Sequence, residues 1–290
     1  SPGSLTFGAS ASTLTATPSA GAGAVNYALL SGPCTLSGAT LSANAAGACI
    51  VNATVAAAGG YAAATSSNVS VVVAAAARTL SISANPSPMT FGAGAATLSA
   101  TPSAGAGTVT YALVSGPCTL SGATLTPTGA GTCIVNASVP ADGGYGAATS
   151  SNFSITVDKA GQAPLVVAAS PSVLALNSTS VLSTTGGSGA GLVIYTVTSG
   201  ACTISGNILT ANGVGSCTVT ATKQGDANYA QIVSSEITLT INSLTQTISV
   251  QASTSAIIVS GTANLTMLGA QGSGARTFSV TSGPCSISGS

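Results

Sequence analysis

The chain has 290 residues, only 3% of them charged: Lys and Arg number 4, Asp and Glu number 4, and histidine is absent. A typical soluble domain carries about 25% charged residues; here Arg78, Lys159, Lys223 and Arg276 are scattered, which argues against nucleic acid as a partner because counterion release from phosphates needs clustered cations. Mean hydropathy is +0.58, yet the longest clean apolar run, Val71 through Ala77, falls far short of the roughly twenty residues that span a bilayer as a helix, so no membrane span is expected.

Cysteine sets the frame. Cys34 and Cys49, Cys118 and Cys133, and Cys202 and Cys217 are each 15 apart, and the first members are 84 apart (118 − 34 and 202 − 118). A period of 84 suits one small sandwich and is too long for a solenoid coil. The expected division is residues 1–78, whose first strand is missing, then 79–162, 163–246 and a partial fourth repeat, 247–290. No basic head, apolar core and cleavage site opens the chain, which reads as a mature or internal segment. Short apolar runs without aromatic girdles argue against a membrane barrel.

In the first repeat, aligning Phe7 with Phe91 sets Ser1 opposite Asn85, just past the place of the first strand. The second repeat shows the elements most clearly. Thr79 to Ala84 alternates polar and apolar, and Pro86 and Pro88 end that edge strand because proline donates no ladder hydrogen bond. Ala96 to Ala100 alternates again, and Val109, Tyr111 and Leu113 share one face. Cys118 to Leu120 and Leu125 form a small hairpin about Ser121-Gly122. The longest strand carries Cys133, Val135, Ala137 and Val139 on one face, and Phe153 to Val157 closes the unit before Asp158-Lys159. Roughly seven short strands with turn signals every eight to twelve residues predict an all-β fold, an antiparallel immunoglobulin-like sandwich.

Tyrosine repeats with the same spacing. Tyr27, Tyr111 and Tyr195 form one series and Tyr61, Tyr145 and Tyr229 another, which accounts for all six. Such regularity argues against low-complexity disorder, and both series are assigned to the core as its largest pieces. An alanine-heavy core in a small domain leaves stability marginal, and a disulfide closing a loop of about fifteen residues contributes roughly 3 kcal/mol. The expected pairs are Cys34–Cys49, Cys118–Cys133 and Cys202–Cys217, with cross-pairing between repeats as the rival. The Ser-Gly hairpin favours the local pairs, whose loops are cheap to close. Cys285 is expected to be unpaired by truncation, its partner falling near position 300. Paired cysteines imply an oxidising, extracellular setting.

Chemistry is sparse. Without histidine, and with Asp142, Asp158, Asp226 and Glu236 dispersed, no group can activate a serine, and no recurrent carboxylate pair suits glycoside hydrolysis. The expectation is no catalytic residue, no metal and no cofactor. Gly187 to Gly191 looks like a phosphate loop but has neither a following lysine nor a helix. The sequons at Asn52, Asn136 and Asn264 arise readily in a chain so rich in Ser and Thr.

The third repeat contains Ser199-Gly-Ala-Cys-Thr-Ile-Ser-Gly-Asn207, Gly213-Val-Gly-Ser-Cys217 and Gly225-Asp-Ala-Asn-Tyr229. These segments resemble the bacterial immunoglobulin-like tandem repeats of large surface and secreted proteins, including adhesin stalks. The first two repeats depart from it, with Ala58-Gly-Gly-Tyr61 and Asp142-Gly-Gly-Tyr145 at the last turn. The resemblance implies reach and adhesion. Sandwich edges are ordinarily guarded by charge, and their neutrality here suits two readings equally: self-association into a fibre or sheath, and a solvated stalk whose neutral skin resists nonspecific contact. The expected function is a structural, non-catalytic extracellular segment, a stalk or filament. The alternative is an adhesive module for a carbohydrate or receptor, and a surface glycan ligand is expected, if anywhere, elsewhere in the parent protein.

Overall fold

The computed structural model describes residues 4–21 and 23–289, and every regular element among them is a β-strand. The chain divides into two compact units. The first comprises residues 1–162 with Ser188–Gly191 and Gly225–Gln231; the second comprises Ala163–Gly187, Leu192–Gln224 and Ile232–Ser290.

The first unit holds two sandwiches. The strands of one are β1 (Ser4–Thr6), β2 (Ser12–Thr13), β3 (Val25–Ser31), β4 (Cys34–Ser37), β5 (Thr40–Ala43), β6 (Gly47–Val55), β7 (Ala64–Thr65) and β8 (Val69–Ala74). Those of the other are β9 (Leu80–Asn85), β10 (Met89–Thr90), β11 (Ala96–Pro102), β12 (Thr110–Ser115), β13 (Cys118–Ser121), β14 (Thr124–Pro127), β15 (Gly131–Val139), β16 (Ala148–Thr149) and β17 (Phe153–Asp158). In the second sandwich one sheet runs β13-β14-β11-β9 and the other β10-β17-β15-β12, with β16 on the end of β15. Lettered in chain order, with β9 and β10 as two halves of strand A and β16 aside, these sheets are D-E-B-A and A-G-F-C, the immunoglobulin arrangement.

The split first strand follows from its prolines. β9 pairs antiparallel with β11 from Leu80↔Pro102 to Asn85↔Thr97, and after Pro86-Ser87-Pro88 the chain crosses to the other sheet, where β10 lies parallel to β17. A proline offers no N–H, so the ladder stops there. The sequence reading ended the strand correctly and missed its second half, because a two-residue strand has no period to detect.

Alternation buries one face of each long strand. In β15 the buried set is Cys133, Val135, Ala137 and Val139, and the core around them adds Met89, Leu98, Leu125, Ile155 and Val157. Tyr111 is only partly buried and packs against this cluster. The core's centre is therefore aliphatic. Tyrosine sits at its margin, where the ring is packed and the hydroxyl reaches water.

Among the described residues three disulfides form, Cys34–Cys49, Cys118–Cys133 and Cys202–Cys217, each across 15 residues. Cys118 opens β13 and Cys133 lies in β15, so the bond ties one sheet to the other. Gly116 makes this approach possible: its φ is +109°, and a Cβ there would stand 2.6 Å from the Cα of Cys133. Gly32 and Gly200 do the same opposite Cys49 and Cys217. Only glycine tolerates both the backbone angle and the proximity.

In the first sandwich β1-β8-β6-β3, with β7 on β6, faces the three-stranded sheet β2-β5-β4. Among the described residues, no strand pairs β2 on the side where β9 pairs β11.

The second unit contains β18 (Leu165–Ser170), β19 (Val173–Ala175), β20 (Thr179–Gly186), β21 (Val193–Ser199), β22 (Cys202–Ser205), β23 (Ile208–Ala211), β24 (Gly215–Lys223), β25 (Ile232–Val233) and β26 (Ile237–Asn242). Its sheets are β18-β20-β23-β22 and β19-β26-β24-β21, with β25 on β24. Buried Leu182, Leu209, Val219, Leu239 and Ile241 form its core, with Tyr195 packed at the edge. A separate antiparallel pair follows, β27 (Ser249–Ala252) with β28 (Leu265–Leu268).

Candidate functional site

The most specific chemistry in the first unit lies where one segment of chain meets a tight turn ending in tyrosine. The turn Asp142-Gly143-Gly144-Tyr145 is closed by two backbone bonds, Asp142 N to Tyr145 O at 3.0 Å and Tyr145 N to Asp142 O at 2.7 Å. Phe7 is fixed at the end of β8 by its own N–H, which donates to Ala74 O at 3.0 Å. Its ring meets Tyr145 edge-on, with centroids 5.2 Å apart and planes at 82°, the arrangement that aligns the positive edge of one ring with the negative face of the other. A Cβ on Gly144 would overlap the Phe7 ring where it stands, so a side chain here would have to displace that ring.

Backbone bonds add a parallel rung. Ala76 N donates to Gly144 O at 2.8 Å, and Gly146 N donates to Ala76 O at 2.9 Å, while Ala46 N reaches Gly143 O at 3.1 Å. The connecting segment after β8 is thereby bonded to the sandwich that follows it.

Arg78 locks this joint. It is buried, with Nε donating to Gly146 O at 2.9 Å, Nη1 to Ala104 O at 3.2 Å and Ala106 O at 2.9 Å, and Nη2 to Pro140 O. Asp142 Oδ2 stands 3.9 Å from Nη1 and accepts the Ala106 N–H at 2.6 Å. The rigid fork of a guanidinium, with five N–H donors, reaches four separate carbonyls at once, one more than the three donors of a lysine ammonium could serve. The Tyr145 ring lies 6.0 Å below its carbon.

A second joint of the same design occurs further along the first unit. Phe91 N donates to Asp158 O at 2.9 Å, and the Phe91 ring stands edge-on to Tyr229 at 5.6 Å and 89°. The rung is Ala160 N to Asn228 O and Ala230 N to Ala160 O, both 2.9 Å. Gln162 takes the place of Arg78, its Nε2 donating to Ala230 O at 2.7 Å and its Oε1 accepting from Gly189 N at 3.2 Å. Asn228 takes the place of Gly144 and turns its side chain to use, accepting from Ala130 N at 2.9 Å.

Asp226 organises this second turn. Its carboxylate accepts N–H bonds from Ala190 at 2.6 Å, Asn228 at 2.8 Å and Tyr229 at 2.9 Å, while its backbone oxygen accepts Lys159 Nζ at 2.5 Å. The Ala190 amide, then those of Asn228 and Tyr229, and lastly the Lys159 charge hold its carboxyl below the ordinary carboxylate range.

The residues singled out in the sequence thus separate. The six paired cysteines are buried in the cores, and Cys285 is free and exposed. Tyr27, Tyr111 and Tyr195 pack at core margins. Tyr145 and Tyr229 serve the joints instead of a core. Tyr61 is a correction of a different kind: its ring is 58% exposed, because the turn that carries it lies at the edge of its sandwich and has no phenylalanine beside it among the described residues. Sequence reasoning uses Phe7 and Phe91 only to align the first two repeats, and gives Arg78, Gln162 and Asp226 no part in a joint. Phe7 and Phe91 are 84 apart, which was the available signal; Arg78 and Asp226 were read as isolated charges. Among the described residues no group of three His, Cys, Asp or Glu could hold a metal ion, and no helix is long and apolar enough to cross a membrane.

No protein-family model matches the chain, and no curated protein matches it. Among solved structures it is similar to domains 1–6 of the surface layer protein SbsC, at 17% identity and TM-score 0.27 over 85% of this chain and 40% of that one. It is also similar to Drosophila N-cadherin EC1-4, at 10% identity and TM-score 0.27 over 82% and 73%, and to the Escherichia coli adhesin FdeC, at 17% and 0.25 over 77% and 87%. The chain spans less than half the length of the SbsC structure.

Proposed function

We propose that this chain is a structural, non-catalytic segment of a bacterial surface or secreted protein, in which disulfide-closed sandwiches are coupled through specific joints into a stalk or filament. The modules are residues 1–78, 79–162 and 163–246, with 247–290 belonging to a fourth. The observation that carries this reading is the recurrence of one joint at Tyr145 and at Tyr229, with an edge-on phenylalanine and a two-bond backbone rung in both. A flexible string of independent beads has no need of such a device, since inter-domain motion is the default without a specific interface. The buried disulfides support an oxidising compartment.

Outward faces support assembly with copies of the same chain. Ser81 and Ser83 of β9, with Thr97, Ser99 and Thr101 of β11, are exposed and uncharged, so neighbouring faces meet without charge repulsion. The adhesive alternative rests on Tyr61, whose exposed ring is of the kind that stacks on a sugar.

The test is localisation with thiol accounting. Intact cells producing the parent protein are labelled with an impermeant reagent, and cysteines are alkylated before and after reduction. Surface labelling with the six cysteines recovered as three local pairs is expected. Recovery of the protein from a reducing compartment with free thiols overturns the reading.

A further inference from the structure

We infer that the Tyr61 turn of the first sandwich is a docking site for the trailing end of another module of this chain's own kind, joined in cis. This rests on reading Tyr145 and Tyr229 as joints. The Tyr61 turn is built like the Tyr145 turn. Ala58 and Tyr61 exchange backbone bonds at 3.2 and 3.1 Å, as Asp142 and Tyr145 do. The Tyr61 ring covers Gly21, whose Cβ would stand 3.4 Å from its Cδ2, as the Tyr145 ring covers Gly105 at 2.7 Å. Gly59 and Gly143 share the left-handed conformation, at φ +58° and +53°.

What differs is the outer side. Tyr145 and Tyr229 each have a phenyl edge and a rung residue against them, whereas Tyr61 is 58% exposed and nothing lies within 4 Å of a Cβ placed on Gly60. Among the described residues, neither Gly60 O nor Ala62 N makes the bond that Gly144 O and Gly146 N make to Ala76. The site therefore presents an aromatic face, one backbone acceptor and one backbone donor in the arrangement that a parallel rung and a phenyl edge satisfy twice elsewhere. A cis source is chosen because in both joints the rung residue precedes its tyrosine by 69 residues (145 − 76 and 229 − 160). Ala58 stands where Asp142 and Asp226 stand, so the latch that fits here is neutral, like Gln162, because a buried guanidinium would meet no counter-charge.

The experiment extends the full chain by fusing a copy of residues 85–168 ahead of residue 1, which sets the copied Ala160 69 residues before Tyr61 and brings Phe91 and Gln162 with it. Hydroxyl-radical footprinting then reads the tyrosines, and amide exchange reads Ala62. In the original chain Tyr61 is expected to oxidise several-fold faster than Tyr145 and Tyr229. In the extended chain it is expected to slow to their rate, with Ala62 protected, and to speed up again when Phe91→Ala is made in the copy alone. A second extension, carrying residues 1–84 with Arg78→Gln in the copy so that its latch is neutral, guards against a copy that fails to fold.

The inference is overturned if Tyr61 and Ala62 stay open in both extensions while Tyr145 and Tyr229 are protected. Protection of Tyr61 in the original chain that grows with protein concentration assigns the site to a second copy, and protection by added oligosaccharide assigns it to sugar; either overturns it. Fast oxidation of Tyr145 and Tyr229 themselves refutes the joints and the proposed function with them.

Discussion

Phe91 stands edge-on to Tyr229 with centroids 5.6 Å apart, and Phe7 meets Tyr145 in the same way at 5.2 Å. The two pairs share no residue, yet each is anchored by the same features: a phenylalanine N–H bonded to the closing strand and a rung of two backbone bonds beside the tyrosine. A contact made twice by residues spaced alike is a recurring feature of the chain and not an accident of one loop. Each of its parts can be tested separately.

The aromatic pair is expected to contribute about 1 kcal/mol beyond its buried area. A double-mutant cycle with Phe7→Ala and Tyr145→Ala, read by urea unfolding, should return a coupling energy of about that size. A cycle pairing Phe7→Ala with Tyr229→Ala should return none. Gly144→Ala is expected to expel the Phe7 ring while leaving the core around Val135 and Ile155 intact, visible as loss of the Phe7–Tyr145 nuclear Overhauser contact with unchanged core signals.

Arg78→Ala leaves four carbonyl oxygens without their donor and the Asp142 carboxylate without its nearby cation. Hydrogen bonds to a charged group contribute about 1.5 to 3 kcal/mol each, so a loss of at least that size is expected, with the partly exposed Asp142 carboxylate adding little. Arg78→Gln is expected to cost less than half as much, since Gln162 bridges the corresponding loops at the other joint. Urea midpoints of the three proteins check the order wild type, Gln, Ala.

Acid should loosen the second joint. Folding lowers the Asp226 pKa, so the folded state binds fewer protons than the unfolded state in the range between the two values, and stability rises with pH there. The contribution is complete above the unfolded value of about 3.9 and is lost as pH falls through the lower folded value. Protection factors at Ala190, Asn228 and Tyr229, taken against each amide's intrinsic rate at the same pH, should fall on acidification below that range, and Asp226→Asn should remove this pH dependence of protection.

Replacing Cys118 and Cys133 together by alanine opens a loop of 15 residues and is expected to cost roughly 3 kcal/mol. Calorimetry under oxidising conditions should show the affected sandwich melting earlier. The same shift should appear in the wild type on reduction. Non-reduced peptide mapping should recover each bridge within its own 15-residue span.

Much of this protein can be read without coordinates because its information is periodic. Strand alternation depends only on neighbours two residues apart, so the buried face of β15 follows from Cys133, Val135, Ala137 and Val139 in order. Local disulfide pairing follows from a short loop and a Ser-Gly hairpin, which bring Cys118 near Cys133 at little entropic cost. The all-β class and the sandwich were legible for the same reason.

Tertiary structure alone decided the rest. Tyr111 and Tyr145 are equally periodic, yet one lies at a core margin and the other at a joint, because burial depends on what comes from elsewhere in the chain. Arg78 and Asp142 are 64 apart (142 − 78), and no local pattern announces that they will face each other. Period reports which residues are equivalent; only folding determines what each one touches, since contacts between distant segments are set by how completed sheets stack and not by the order of neighbours along a strand.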